Sequence, residues 1–237
     1  MFQNRQGFWS SIPPVTKNLI IINLLFWLAE LSLRKSGINL VDFLGLHYIG
    51  AERFNAIQLV TYMFMHDPSS FGHVFFNMFS VFVFGRTLEM VWGGKRFLVY
   101  YLITGIGAGL VQELTWYIDY VQQGMSAYDS VNMGGVIISM DAYLDKWVTV
   151  GASGAVFGIL LAFGMLFPNA ELFVMFIPIP VKAKYFVIFY GVMELFLGVG
   201  NFSGDNIAHF AHLGGMLFGF FLIRYWKKKG LGDGPYF

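Results

Sequence analysis

The chain lacks cysteine and carries few charges. None of its 237 residues is a cysteine, which excludes disulfide bonds, zinc sites built from thiolates, and cysteine nucleophiles. Charged side chains make up only 12% of the residues, against roughly one quarter in soluble domains. The formal net charge is +1 at pH 7, so the chain has no strong positive field, and we expect no nucleic-acid partner.

The chain is instead rich in apolar residues. Hydrophobic residues make up 57% of it, and the mean hydropathy is +0.61. Six apolar stretches approach the roughly 20 residues that a helix needs to cross the hydrocarbon layer of a lipid bilayer. They run over residues 18–33, 73–91, 97–118, 148–167, 185–199 and 207–226. We therefore predict an all-α membrane protein, a bundle of six transmembrane helices.

The positive charges predict an orientation in the membrane. Eleven of the fifteen Lys and Arg residues fall on one side of the alternating connectors, and the side rich in Lys and Arg is normally cytoplasmic. Both termini are therefore expected in the cytoplasm. Residues 1–17 form a cytoplasmic N-terminal segment, residues 18–226 the membrane domain, and residues 227–237 a cytoplasmic tail. The long loop over residues 119–147 is external, and the sequence assigns it no role.

Four polar residues interrupt the apolar stretches at a similar depth. His73 and Asn77 lie in the second stretch, Ser153 in the fourth, and His212 in the sixth. Each of these stretches enters from the external side in the predicted topology. Polar side chains are costly in hydrocarbon unless they face one another or a water-filled cavity. We therefore expect the four residues to meet near the outer leaflet.

These residue types indicate acyl-transfer chemistry. A serine hydroxyl is a poor nucleophile until a base takes its proton, and histidine titrates near neutral pH. His73, Asn77 and the backbone amide of Ser153 are the candidate donors for an oxyanion. Glu194 and Asp205 are the carboxylates that could orient His212. Since Asp205 is expected in a loop and Glu194 too deep in the fifth stretch, a Ser–His dyad is predicted rather than a triad.

Small residues on the helices that carry the serine and the histidine favour close helix packing. Gly154 and Gly158 share one helical face, while Gly215 and Gly219 share another with His212. Such faces let two helix backbones approach closely. A short serine side chain needs this approach in order to reach an imidazole on a neighbouring helix.

Four motifs together resemble the rhomboid family of intramembrane serine proteases. They are Gly-x-Ser-Gly at 151–154, Ala-His-x-x-Gly-x-x-x-Gly at 211–219, His-x-x-x-Asn at 73–77, and Gly-Arg-Thr-Leu-Glu at 85–89. The similarity covers nearly the whole predicted six-helix core. The fold that it implies is a rhomboid-like bundle.

The resemblance implies a catalytic pair and an activity. Ser153 would be the nucleophile and His212 the general base of a serine endopeptidase that cleaves transmembrane substrate proteins within or near the outer leaflet. The supporting residues implied around them are His73, Asn77, Gly151 and Phe157. Phe157 matches a position where an aromatic ring packs on the catalytic imidazole. No metal or cofactor is implied. The minimal six-span form favours a bacterial cytoplasmic (inner) membrane, with a eukaryotic organelle as the alternative.

The first external loop departs from the family pattern. Ile57 and Gln58 stand where many members carry a Trp-Arg pair, upstream of Thr61 and a histidine. The usual packing of this loop is therefore in question, although the catalytic pair is not. The loop histidines, His47 and His66, are expected to be solvated.

Three other interpretations compete with an active protease. A catalytically inactive rhomboid-like protein would bind transmembrane helices without cleaving them. A small transporter would need a polar path to the cytoplasmic side, which the sequence does not offer. A metal site built on the four histidines 66, 73, 209 and 212 lacks carboxylate or thiolate companions at ligand spacing. His209 is therefore interpreted as structural, and no metal is predicted.

Overall fold

Six long helices dominate the fold. The computed structural model describes residues 8–173, 179–200 and 207–230. The long helices are Pro14–Arg34 (α1), Phe71–Trp92 (α2), Gly94–Gln122 (α3), Ser153–Leu166 (α4), Ala183–Gly200 (α5) and His209–Lys228 (α6). By length and composition, α1, α2, α3 and α5 can cross a membrane, and α4 is a shorter apolar helix. Six helices thus lie where six spans were predicted, while the number that cross the bilayer stays a prediction.

The fold is mostly helical, as predicted, and its connectors also contain short strands. Short strands pair there as antiparallel two-stranded sheets, because the connectors fold onto one another and satisfy their backbone groups. The strands are Leu46–His47 (β1), Ser130–Met133 (β2), Val136–Ser139 (β3), Val148–Thr149 (β4), Glu171–Phe173 (β5) and Pro180–Lys182 (β6). The pairs are β1 with β4, β2 with β3, and β5 with β6.

Short helical turns complete the connectors. They are Phe8–Ser11, Val41–Leu44, Gln58–Thr61, Tyr62–Phe64, Met125–Ala127 and Met140–Leu144.

The fourth long helix begins later than the sequence predicted. The apolar stretch starts at Val148, but Val148 and Thr149 form β4 and pair with His47 and Leu46. Gly151 then adopts a φ of +135°, a conformation that side-chain-bearing residues rarely take. Because this backbone cannot continue a helix, α4 starts at Ser153.

The second long helix, α2, begins with a side-chain cap, contains a π-helical turn, and ends at a glycine. The Ser70 side chain accepts a hydrogen bond from the backbone N–H of His73 at 3.2 Å, which caps the first turn. Residues Val81–Gly85 form a wider π-helical turn. Gly93, at a φ of +76°, separates α2 from α3.

The core lies between α3, α4 and α6. Tyr100 and Tyr101 of α3 are fully buried, and the Tyr100 hydroxyl donates to the Gly158 carbonyl of α4 at 2.8 Å. Gly107 of α3 faces the ring of Phe218 on α6 so closely that a methyl group there would overlap the ring. Small residues and tyrosine hydroxyls thus join the three helices, as is typical where lipid gives helices no hydrophobic reason to associate.

Helix α5 is the least enclosed of the six. Only Ala183, Val187 and Glu194 are buried along it. Its exposed residues are mostly large and apolar, including Tyr185, Ile188, Phe189, Val192, Leu195, Phe196 and Val199. In a bilayer this surface faces lipid, where apolar side chains are at no disadvantage.

The long connector between α3 and α4 packs on the connector between α1 and α2 through a small apolar cluster of its own. The buried members of this cluster are Tyr48, Ala51, Met125, Met140 and Leu144. Trp147 and Trp116 pack against it, and the Tyr48 and Trp147 rings lie 5.4 Å apart. The loop therefore has a fixed position beside the residues that lead into α4.

A buried carboxylate anchors the start of α1. Glu89 of α2 accepts hydrogen bonds from the backbone N–H groups of Val15 and Thr16, at 2.9 and 2.6 Å, and from the Thr16 hydroxyl at 2.7 Å. The first N–H groups of a helix have no partner within the helix. A negative charge at this end also complements the helix dipole.

Replacing Glu89 with glutamine should destabilise the protein. The Gln amide would present donors to groups that themselves donate, so we expect the free energy of unfolding to fall by about 2–3 kcal/mol. Reversible unfolding in mixed detergent micelles measures this change. Glu52→Gln, which alters an exposed carboxylate, is the matched control and should change stability by less than about 0.5 kcal/mol. Equal stability of the two variants would contradict the role of Glu89.

Candidate active site

Ser153 and His212 form a hydrogen-bonded pair. Ser153 is the first residue of α4, and His212 lies in the first turn of α6. The serine Oγ and the histidine Nε2 are 2.8 Å apart, and His212 is buried. Two polar residues 59 positions apart in sequence therefore meet in the geometry that a nucleophile and its base require.

Glycines on α4 and α6 allow the contact between Ser153 and His212. A methyl group on Gly215 of α6 would overlap the carbonyl oxygen of Gly154 on α4. A methyl group on Gly154 would overlap Ala108 of α3, and one on Gly219 would overlap the Tyr100 hydroxyl. The backbones are thus as close as they can be, which brings the short serine side chain within reach of the imidazole.

Phe157 fixes one face of the imidazole. Its ring lies one helical turn after Ser153 and stacks on His212, with a centroid separation of 4.3 Å and an interplanar angle of 10°. This is the placement that the resemblance implied. Stacking limits rotation of the His212 ring and shields one of its faces from water.

A carboxylate lies on the other side of His212. The Glu194 Oε2 of α5 is 2.8 Å from the Nδ1 of His212. The expectation that Glu194 lies too deep to contact the histidine is wrong, because α5 and α6 pack so that Glu194 faces the first turn of α6. Asp205, the other carboxylate considered, lies outside the described residues.

His209 shares the same carboxylate oxygen. Its Nδ1 is 2.7 Å from the Glu194 Oε2, and it precedes His212 by one turn on α6. Its interpretation as a structural residue missed this contact. The i, i+3 spacing of His209 and His212, together with the intramembrane Glu194, was the sequence signal that could have revealed it.

Within the described part of the chain, Glu194, His209 and His212 form a cluster of side chains that could bind a metal ion. One ligand atom each from Glu194, His209 and His212 lie within 4.8 Å of one another. The two imidazole-to-carboxylate distances, however, are hydrogen-bond lengths.

His73 lies beside the serine, across Gly151. A methyl group built on Gly151 would come 2.8 Å from the His73 Nε2 and 3.5 Å from the Ser153 Oγ. Gly151 therefore fills the narrow space between the two side chains, where no larger residue fits. The backbone N–H of Asp67 donates a long 3.4 Å bond to the His73 Nδ1, which leaves the hydrogen on Nε2, toward Gly151.

Asn77 lies one turn further along α2 and supports His73. Its side-chain amide donates to the His73 carbonyl at 2.9 Å, and the residue is buried. Among the described contacts, Asn77 reaches neither Ser153 nor His212 directly. The four polar residues predicted to meet thus form a pair, Ser153 and His212, with His73 adjacent and Asn77 behind it.

The two loop histidines are buried, so the expectation that they are solvated is wrong. His66 packs edge-on against His73 with a centroid separation of 5.0 Å. The His47 Nδ1 is 3.0 Å from the Asp145 carbonyl. Both residues belong to the connector between α1 and α2, and both are buried there.

Gln58 organises the connector between α1 and α2. The buried Gln58 side chain accepts hydrogen bonds from the backbone N–H groups of His47 and Asn55 at 3.3 and 3.1 Å. It donates to the carbonyls of Phe43 and Arg53 at 3.2 and 2.9 Å. This amide joins separate parts of the loop at the position where the sequence departs from the Trp-Arg pattern.

Comparison with known proteins gives one consistent family. Residues 53–229 match the family model described as the Rhomboid domain. The chain is 29% identical to "RHOMBOID-like protein 6, mitochondrial" of Arabidopsis thaliana, over 70% of this chain and 42% of that protein. It is 30% identical to "Putative rhomboid protease YdcA" of Bacillus subtilis, over 70% of this chain and 64% of that protein. It therefore spans less than two thirds of either relative's length.

A methyl group at Gly215 should force α4 and α6 apart. Because the added Cβ would overlap a backbone carbonyl, we expect Gly215→Ala to cost about 2 kcal/mol or more of the free energy of unfolding. Gly191→Ala on α5 is the control, since its Cβ would meet only the flexible end of Met216 at 3.3 Å. Unfolding in detergent should separate the two variants, and similar stabilities would contradict the close contact.

Buried His66 should make the protein sensitive to acid. Burial lowers the pKa of His66 from 6.5 to about 3, and the neighbouring His73 contributes in the same direction. Between these two values the unfolded chain binds the proton and the folded chain does not, so stability falls as the pH drops from 6.5 towards 3.

The substitution that tests the predicted acid sensitivity is His66→Leu. Neither ring nitrogen of His66 has a hydrogen-bond partner among the described residues, so the leucine variant should be about as stable as the parent at neutral pH. On acidification its melting temperature in detergent should fall less than that of the parent. Parallel pH dependences would show that His66 protonates as readily in the folded protein as in the unfolded one.

Proposed function

The chain belongs to the rhomboid family, and we propose that it is an intramembrane serine protease that cleaves transmembrane proteins near the outer leaflet. The observation that carries the proposal is the 2.8 Å contact between the Ser153 Oγ and the His212 Nε2. The similarity to a protein named as a rhomboid protease supports the same reaction class. The proposed enzyme is a hydrolase that uses only its own side chains and water.

The proposed reaction begins with proton transfer from Ser153. The His212 Nε2 takes the hydroxyl proton as the serine oxygen attacks the carbonyl carbon of the scissile peptide bond. His212 then gives that proton to the leaving amine, which leaves an acyl group on Ser153. A water molecule, activated by the same nitrogen, releases the acyl group as a carboxylate and regenerates the serine.

The oxyanion would form beside the start of α4. The backbone N–H of Ser153 is one of the first amides of the helix, which have no acceptor within it. This end of the helix dipole favours negative charge. His73 lies next to the serine across Gly151, and in the proposal its Nε2–H is the side-chain donor. Asn77 holds the turn that carries His73 and is the second candidate donor.

The proposed substrate must lose helical structure before cleavage. A carbonyl within a regular transmembrane helix is already hydrogen-bonded inside the segment, so Ser153 can reach it only where the helix unwinds. Substrates with helix-weakening residues near their external ends would pay less for this step. The proposed partners are therefore transmembrane proteins within the lipid bilayer.

The chain is a membrane protein, and its host membrane is a separate proposal. The relatives include mitochondrial and bacterial proteins, so the similarity does not select one compartment. The Lys and Arg distribution supports cytoplasmic termini in a bacterial-type inner membrane. The chemistry proposed for Ser153 does not depend on this choice.

Removing the Ser153 hydroxyl should abolish activity. We expect Ser153→Ala to resist labelling by a fluorophosphonate probe and to lose at least about 10³-fold in cleavage of a transmembrane substrate. His212→Ala should lose a comparable factor, because the hydroxyl then lacks its base. Gel-based labelling of the full-length chain in lipid vesicles measures the first effect.

The exposed Ser126 provides the matched control. Ser126→Ala should label and cleave like the parent. Equal labelling of the parent and Ser153→Ala would remove the nucleophile assignment. A folded parent that neither labels nor cleaves, yet captures transmembrane helices, would favour the inactive helix-binding alternative.

A further inference from the structure

The hydrogen-bonded pair of Ser153 and His212 extends to a third group, the carboxylate of Glu194. The serine oxygen contacts one nitrogen of the His212 ring at 2.8 Å, and the Glu194 carboxylate contacts the other, also at 2.8 Å. A single imidazole therefore lies between a hydroxyl and a carboxylate. This arrangement exceeds the dyad predicted from the sequence.

We propose that Glu194 is a positioning residue that holds His212 in the tautomer and orientation needed to activate Ser153. This proposal rests on the protease function proposed above. An ionised carboxylate can only accept hydrogen bonds, so the shared hydrogen lies on the His212 Nδ1. The lone pair of Nε2 then faces the serine hydroxyl, as a general base requires. The same carboxylate stabilises the imidazolium that forms when His212 takes the serine proton.

His209 holds the carboxylate in turn. Its Nδ1 lies 2.7 Å from the Glu194 oxygen that contacts His212. Two imidazoles on one helical turn thus fix a single oxygen from both sides. The side chains of Glu194, His209 and His212 are only 12%, 6% and 9% exposed. A buried carboxylate is costly without partners, and here both partners come from α6.

The position of Glu194 in α5 indicates a specific role. It is one of three buried residues on a helix whose other side chains are largely apolar and exposed. An ionisable residue within a membrane helix is costly to keep. A leucine or methionine at this position would pack α5 against α6 without that cost, but it would leave the His212 Nδ1 without an acceptor.

A metal centre fits the distances less well. Around a tetrahedral zinc ion, ligand atoms bound at 2.0–2.1 Å lie about 3.3 Å apart. The imidazole nitrogens are instead 2.7 and 2.8 Å from the carboxylate oxygen, and both contact the same oxygen. Shared hydrogen bonds account for this geometry directly.

The central experiment compares the rate of fluorophosphonate labelling at Ser153 across pH. Glu194→Gln should lower the rate at neutral pH by about 10²–10⁴-fold. It should also move the midpoint of the pH profile to lower pH, because the imidazolium loses its counter-charge. Glu194→Asp keeps the charge and should recover part of the rate with a midpoint near that of the parent. An unchanged rate and midpoint in Glu194→Gln would overturn the proposal.

Two comparisons distinguish positioning from a purely structural role. Glu113→Gln makes the same change at a buried carboxylate of α3 that binds the Ile49 N–H, and it should leave the rate and the midpoint unchanged. If Glu194→Gln only lowers the melting temperature, with the pH midpoint unmoved, Glu194 is structural and the proposal fails. If the parent itself is not labelled at Ser153, the protease function fails instead.

Two measurements on the unmutated protein need no variant to fold. Nitrogen-15 NMR of the histidine-labelled chain should show the proton of neutral His212 on Nδ1, and a proton on Nε2 would overturn the proposal. A chelator should leave the labelling rate unchanged. A loss of labelling that Zn²⁺ restores would replace the positioning role with a metal centre.

Discussion

The close contact between α4 and α6 is the interaction on which the site depends. The Gly154 carbonyl and Gly215 are so near that no side chain fits between them. Because the backbones approach to this limit, the short Ser153 side chain reaches His212 and the Phe157 ring reaches the face of the same imidazole. A wider separation would leave a hydroxyl and an imidazole buried apart, each with an unmet polar group. The close packing of α4 on α6 and the contact between Ser153 and His212 therefore both depend on the same small residues.

Three buried carboxylates accept hydrogen bonds from three different kinds of donor. Glu89 accepts from the first amides of α1, Glu113 accepts from the Ile49 amide, and Glu194 accepts from two imidazoles. Glu89 and Glu113 join backbone segments, and removing either carboxylate would lower the free energy of unfolding. Glu194 differs because its donors are titratable rings, one of which contacts a nucleophile. The type of donor, rather than the burial of the acid, separates the structural carboxylates from the one proposed to act in catalysis.

The connectors between α1 and α2 and between α3 and α4 pack together next to the start of α4. The β1–β4 pair joins the first loop to the residues that lead into α4, and the Gln58 amide holds the first loop together. Tyr48 and Trp147 pack the connector between α3 and α4 against it. The start of α4, which carries Ser153, is therefore held partly by segments that no hydrophobic pattern identifies as structured. These segments also bury His47 and His66, which the sequence alone suggested were in water.

The sequence by itself determined the membrane environment, the approximate positions of six helices, and the identity of the two residues, Ser153 and His212, that the structure brings into contact. Apolar runs and glycine spacing are local properties, and polar residues in such runs are rare enough to stand out. Only the tertiary structure decided that α4 starts at Ser153, that the connectors pair as strands, and that Glu194 contacts His212. The first two depend on the Gly151 backbone conformation and on pairing between distant loops. The third depends on how α5 packs against α6, because the depth of a residue along its own helix does not reveal which neighbouring side chain it meets.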